Sequence, residues 1–219
     1  MPHETRKANR TQRQYRTGKL NTRNTEYYLI ITDAKETEQN YLNGLKDSLN
    51  QSQQKRISIK IIREKKPANL VKECLKIANL NERYEAHLWI LLDRDEVSMF
   101  DEIIEDAREN GINVAWSNPC IEIWFSAYFE NIKSHTNSKQ CISEFKILFN
   151  QKTGYPYHKN DSEIYKRLTQ FGDEDVAIQR MKQKRKEYAD AGITTASKMT
   201  PATEVDLLIS EIKKIVEDS

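Results

Sequence analysis

With 219 residues, the chain has room for one large domain or a domain with an appendage. Hydrophobic residues make up 37% and charged residues 31%, enough for a core, and no apolar run approaches the ~18 residues of a membrane span. The net charge of +2 conceals a basic N-terminus, since residues 1–25 carry Arg6, Lys7, Arg10, Arg13, Arg16, Lys19 and Arg23 against Glu4.

That basic stretch has no apolar periodicity, so it is expected to form an arm that is disordered when free. Basic arms bind phosphate backbones through counterion release; the competing reading is a solubilising tail. No signal peptide is recognised ahead of the first strand. Cys74, Cys120 and Cys141 form no C-x-x-C pair, so neither a zinc site nor a disulfide framework is indicated. A reducing cytoplasm fits these features.

In chain order, the first predicted strand is Tyr27–Thr32. The helix Thr37–Leu49 follows, with apolar residues at Tyr41, Leu42, Leu45 and Leu49 and with Thr37 as a candidate cap. The second strand is Ile57–Arg63. The helix Ala68–Leu80 begins after Pro67, and Leu70, Val71, Cys74, Leu75 and Ile77 form its apolar stripe. The third strand, His87–Asp93, ends a continuous apolar run, Leu88-Trp89-Ile90-Leu91-Leu92, in Asp93-Arg94-Asp95-Glu96. Such a run reads as a strand covered on both faces. The helix Val97–Asn110 stops at Gly111, and the fourth strand is Ile112–Ser117.

After the fourth strand, Asn118 is read as the cap of a helix with Pro119 at its first position. That helix is nearly all apolar, through Ile121, Ile123, Trp124, Phe125, Ala127, Tyr128 and Phe129. Further helices are expected near 138–150, 161–171, 174–190 and 203–217, with the loop 151–160 as the clearest break. Alternating strands and helices imply a parallel sheet. The expected architecture is a four-stranded, mostly parallel Rossmann-like α/β sheet flanked by helices: a 26–135 core carrying a helical 136–219 part, after the 1–25 arm. Trp89, Trp116 and Trp124 read as packing residues, and His87 as structural.

The acids are the informative feature. Asp93 and Asp95 stand at a C-terminal strand tip, the edge where open α/β sheets bind ligands. Paired carboxylates repel unless a cation sits between them, and hard oxygen ligands favour Mg²⁺ or Mn²⁺. A solvated turn with an aspartate cap is the other reading of the same residues. The first strand also ends in an acid, Asp33, and the first and third strands of such sheets are often neighbours. Glu38 falls in the first turn of its helix, where the dipole alone favours an anion. Glu122 lies on a helix expected to be buried almost all round, so a metal, an arginine or a lysine must compensate it. The basic run Lys182-Gln183-Lys184-Arg185-Lys186 reads as an ordinary solvated face or, through Lys184 and Arg185, as a nucleic-acid contact.

Taken together, these segments resemble one family. Asp33-Ala34-Lys35-Glu36-Thr37-Glu38-Gln39-Asn40-Tyr41 is similar to the E-G-x-x-T-E-x-x-Y segment of the RloB/AbiLii family, and Asp93-Arg94-Asp95-Glu96 to its D-x-D-E motif. Ser117-Asn118-Pro119-Cys120-Ile121-Glu122-Ile123-Trp124 resembles its S-N-P-x-F-E-x-W segment. Tyr157-His158-Lys159-Asn160 and Pro201-Ala202-Thr203-Glu204-Val205 match weaker features in the same order, so the resemblance runs from about 26 to about 215.

The resemblance implies a Toprim-like fold and a Mg²⁺- or Mn²⁺-dependent nuclease effector of bacterial defence against phage, encoded beside a partner ATPase. RNA, such as tRNA, is the implied substrate. Asp33, Asp93, Asp95 and Glu122 are the implied metal-site acids, Asp33 as third ligand or as a base activating water and Glu122 directly or through another ligand; Glu38 joins them as a catalytic acid, and Lys159 is read as balancing transition-state charge or as an ordinary surface lysine. Arg6, Lys7, Arg10, Arg13, Arg16, Lys184 and Arg185 are the nucleic-acid contacts expected, and oligomerisation stays open. The chain departs from the family where Asp33 replaces a glutamate, shortening the reach by about 1.5 Å, and where Ala34 replaces a glycine tolerant of positive φ. A non-catalytic module binding nucleic acid or the ATPase is the second hypothesis. Primase or topoisomerase chemistry is disfavoured by the lack of room for further domains.

Overall fold

The computed structural model describes residues 25–34, 36–80, 86–95, 97–135 and 137–217. Arg6, Lys7, Arg10, Arg13 and Arg16, and with them the expected basic arm, lie outside the described residues.

The strands are β1 (Glu26–Thr32), β2 (Ile57–Arg63), β3 (Ala86–Asp93), β4 (Asn113–Asn118) and β5 (Ala202–Thr203). They form one sheet in the order β2-β1-β3-β4-β5. The first four are parallel, and β5 joins antiparallel to β4. The expected four-stranded sheet thus gains a fifth strand from the C-terminal segment. Two residues carry no readable alternation, and only their pairing with Ser117 and Asn118 makes them a strand.

The helices are α1 (Thr37–Ser48), α2 (Gln51–Gln54), α3 (Leu70–Leu80), α4 (Phe100–Glu109), α5 (Glu122–Ala127), α6 (Ser138–Thr153), α7 (Ile164–Phe171), α8 (Glu174–Asp190) and α9 (Val205–Glu217). Among the described residues no helix is long and apolar enough to cross a membrane.

Both faces of the sheet are covered, which is why its strands read as unbroken apolar runs. Alternate side chains point to opposite faces. Tyr28, Ile30, Trp89, Leu91 and Ala115 pack with α1 and the helices from α5 onward. Leu29, Ile31, Ile90, Leu92, Val114 and Trp116 pack with α3 and α4. Trp89, Trp116 and Trp124 are all buried, as expected of packing residues.

Two expected caps are corrected. Asn118 does not cap a helix: it is the last residue of β4, and its amide donates to the carbonyls of Ala196 (3.0 Å) and Ser197 (3.1 Å). The Asn118–Pro119 peptide is cis, and the helix starts later, at Glu122. Thr37 is the first residue of α1 rather than its cap, and its hydroxyl donates to the carbonyl of Lys159 at 3.1 Å. α4 likewise starts at Phe100 rather than Val97, because the Arg94 guanidinium donates to the Val97 carbonyl and holds that residue in a turn.

Candidate functional site

All four parallel strands end on one edge, with Thr32 level with both Arg63 and Leu91, and Asp93 level with Ser117. Residues just past those tips are therefore neighbours in space, although far apart in sequence. Backbone bonds extend this registration beyond the sheet: Arg94 N–H donates to Ser117 at 2.7 Å, and Asp95 N–H to Pro119 at 3.0 Å. The D-x-D loop is thereby pinned to the turn that launches α5.

A cavity of about 690 Å³ opens at this edge, and Asp33, Glu38, Asp93, Asp95, Glu122 and Lys159 all line it. The catalytic acids and the lysine singled out in the sequence are thus brought to one place. Glu38 (7% exposed) and Glu122 (1% exposed) form the buried part, Asp33 and Asp93 are half-buried, and Asp95 is exposed at the rim.

Each acid is positioned by the protein. Ile121 N–H donates to Asp93 Oδ2 at 3.1 Å, and the Tyr157 hydroxyl donates to Glu122 Oε1 at 2.8 Å. Ser138 Oγ donates to Asp95 Oδ1. The Asp33-Ala34 turn is held by Ala34 N–H donating to Thr32 Oγ1 (3.1 Å) and by the Gln39 side chain donating to the Ala34 carbonyl (3.2 Å). Among the described residues no non-glycine residue has positive φ, so alanine at position 34 carries no backbone strain.

The electrostatics follow from burial. Burial pushes Asp33 up to about 6, although its own backbone and the nearby Arg63 pull the other way. Glu38 is pushed up to about 7 by burial and by repulsion from Glu122 and Asp33, against a backbone hydrogen bond and one to Asp93. Asp93 is raised well above its ordinary value by burial, then by Glu38 and Glu122. Burial opposes the charge of Lys159, but the negative field of Glu122, Asp93 and Glu38 prevails and holds its pKa above the ordinary value. The floor is therefore a set of mutually repelling acids with a lysine beside them.

Among the described residues no group of three or more His, Cys, Asp or Glu is gathered so that it could hold a metal ion. Protein hydrogen bonds occupy one oxygen each of Asp93, Asp95 and Glu122. The chemistry of the donors nonetheless suits a hard divalent cation: they are oxygen-only, anionic and costly to bury unneutralised.

Of the expected basic contacts, the two among the described residues, Lys184 and Arg185, are placed elsewhere. Arg185 lies on α8 with its side chain 16% exposed, and it clamps Asp206 of α9 and the Thr203 carbonyl. Lys184 pairs with Glu187 at 3.2 Å and stands over the Tyr188 ring. Arg185 is spent on the interior because α9 brings a buried carboxylate to it, which no spacing within the basic run could reveal. Two residues of the site were not singled out as functional. Tyr157 carried no chemical pattern of its own, and Arg63 reaches Asp33 only through the β1–β2 register.

Comparison with known proteins identifies a family. The model of the RloB-like protein family covers residues 28–212, from β1 into α9. No curated protein and no solved structure matches the chain. On the breadth of that match, and with the acids of its motifs gathered at one sheet edge, the chain belongs to the RloB-like protein family.

Proposed function

We propose that this protein is a metal-dependent phosphodiesterase of the Toprim type that cleaves nucleic acid, RNA in preference to DNA. One observation carries the reading: Asp33 just past β1, Glu38 of α1, Asp93 of β3 and Glu122 of α5 line one cavity at the C-terminal edge of the sheet. A core gains no stability from such a set, and acids perturbed as Asp33, Glu38 and Asp93 are, in a cleft, point to chemistry. The family resemblance extends the proposal to an effector of defence against phage that works beside an ATPase in the cytoplasm.

Mg²⁺ or Mn²⁺ would have to draw Asp33, Asp93 and Glu122 closer together than they stand along the cavity wall, with Asp95 at the rim. When bound, the ion supplies Lewis-acid polarisation of the phosphate and lowers the pKa of water. The chain's own residues perform the other tasks. Tyr157 donates to Glu122 Oε1 and fixes the direction of its free oxygen. Glu38, which bonds to Asp93, can hold or pass a proton at its carboxylate. The Lys159 ammonium faces the charge that builds on the phosphate oxygens. Asp33, a methylene shorter than the family glutamate, favours a second reading: a binding module that recruits nucleic acid or the ATPase without cleaving.

The test is incubation of the pure protein with labelled RNA, tRNA and DNA pools in Mg²⁺, Mn²⁺ or EDTA, beside Asp93→Asn. Cleavage should require metal and fall at least about hundredfold in the variant, with its circular dichroism unchanged. Wild-type cleavage by Asp93→Asn would overturn the assignment. Salt-sensitive binding without cleavage, also with the ATPase added, would select the binding module.

A further inference from the structure

The cavity that gathers the acids has a second wall made of carbon. Pro67 and Ala68 enter it from the connection between β2 and α3. Val97, Met99 and Ile103 enter from the turn after β3 and the first turn of α4. Met99 is 54% exposed, a large apolar side chain left in contact with water beside a charged floor. Phosphodiester chemistry has no use for this wall, because a phosphate and its pentose present mainly oxygen. A nucleobase does, since its faces are apolar and its edges polar.

A basic strip adjoins the same wall. Arg63 closes β2 one strand away from Thr32, and its charge reaches Asp33. Arg63, Lys65 and Lys66 are all exposed, and Lys66 immediately precedes Pro67 of the apolar wall. Among the described residues β2 is the edge strand, and no further strand covers its outer side. Unlike Lys184 and Arg185, these cations lie on the segment that leads directly into the cavity wall at Pro67. At about 690 Å³ the space falls within the size of sites that enclose one small ligand, and a base still stacked in a duplex could not enter it.

We infer that the cavity takes one unpaired nucleotide of a single strand, with its base on Met99, Val97 and Pro67 and the flanking phosphates on Arg63, Lys65 and Lys66. The inference rests on the phosphodiesterase reading and narrows its substrate to single-stranded nucleic acid.

The experiment is fluorescence anisotropy with a 5′-fluorescein RNA strand, alone and annealed to its complement, in Ca²⁺ so that the acidic floor is offset. The single strand should bind about tenfold more tightly than the duplex. Met99→Asp should weaken single-strand binding by about tenfold and leave duplex binding unchanged. Lys65→Ala with Lys66→Ala should reduce the salt dependence of single-strand binding by about 1.4 in log–log slope, two phosphate contacts at about 0.7 each. All three positions are outside the buried core, and circular dichroism checks that the variants fold. Equal affinity for strand and duplex, with Met99→Asp and the lysine pair behaving as wild type, overturns this inference while metal-dependent cleavage still stands. Binding of neither probe overturns this inference, and the phosphodiesterase reading falls with it only if cleavage is absent too.

Discussion

Glu38 shows how a single carboxylate links the site to stability. It is buried in the first turn of α1, facing Glu122 and Asp33, and its pKa is raised from the ordinary 4.5 to about 7. The folded protein therefore holds a proton that the unfolded chain has released above its ordinary pKa. The stability tied to that proton is fully present below 4.5 and is lost as the pH rises through about 7. Asp33 adds to the loss between 3.8 and about 6. Glu38→Gln should accordingly melt at a higher temperature than wild type at about pH 8 in EDTA, with the advantage vanishing under acid conditions. Calorimetry at the two pH values checks this; a variant less stable than wild type at the alkaline value would show that Glu38 is not destabilised by its neighbours. Glu38 was legible in the sequence because its place in the first helical turn is local. Its raised pKa was not, because the burial that chiefly causes it comes from tertiary packing, and Glu122, which adds to it, comes from an element 84 positions further along the chain.

At the level of elements, the packing of α1 on α7 decides whether the mouth of the site is well formed, since Thr37 at the start of α1 holds the loop carrying Lys159. Gly44 is the contact point. A Cβ at position 44 would lie 2.6 Å from Tyr165 Cβ, on the rigid part of a side chain that also makes an edge contact with Tyr41. Glycine to alanine inside a helix ordinarily gains about 1 kcal/mol. Here the overlap should reverse the sign, and Gly44→Ala should cost about 1–3 kcal/mol in urea unfolding. A stabilised variant would mean that α7 can retreat from α1 without loss. Helix boundaries in this part of the chain followed closely from the sequence, as with α8 at Glu174–Asp190, because caps and apolar spacing are local signals. The start of α5 did not, because Asn118 was claimed by the sheet instead.

Across the whole molecule, the C-terminal helices are tied to the sheet by charge as well as by packing. Arg185 of α8 forms paired hydrogen bonds with Asp206 of α9 and also reaches Thr203 of β5, so three elements meet at one guanidinium. Asp206 has only 2% of its side chain exposed. Burial pushes its pKa up, and Arg185 pulls it back. Removing one member of a buried pair leaves the other uncompensated, so Asp206→Asn should destabilise the protein by about 3–5 kcal/mol. Denaturant unfolding measures the loss; a change below about 1 kcal/mol would place the pair in the class of solvent-screened surface bridges. The same contact explains why a basic run on α8 is not a free basic face.

What the amino-acid sequence determined by itself was everything carried by short-range periodicity: four strands buried on both faces, the helices between them, and acids just beyond the strand tips. Polymer geometry makes those features local, since a strand alternates every two residues and a helix repeats every 3.6. The tertiary structure alone decided which of those residues meet. It added β5, moved Asn118 into the sheet, set Tyr157 against Glu122 and Arg63 beside Asp33, and turned Arg185 inward. Each of these depends on strand register or helix packing between segments distant in sequence, and such pairings are selected by the burial of whole faces rather than by any neighbouring residue.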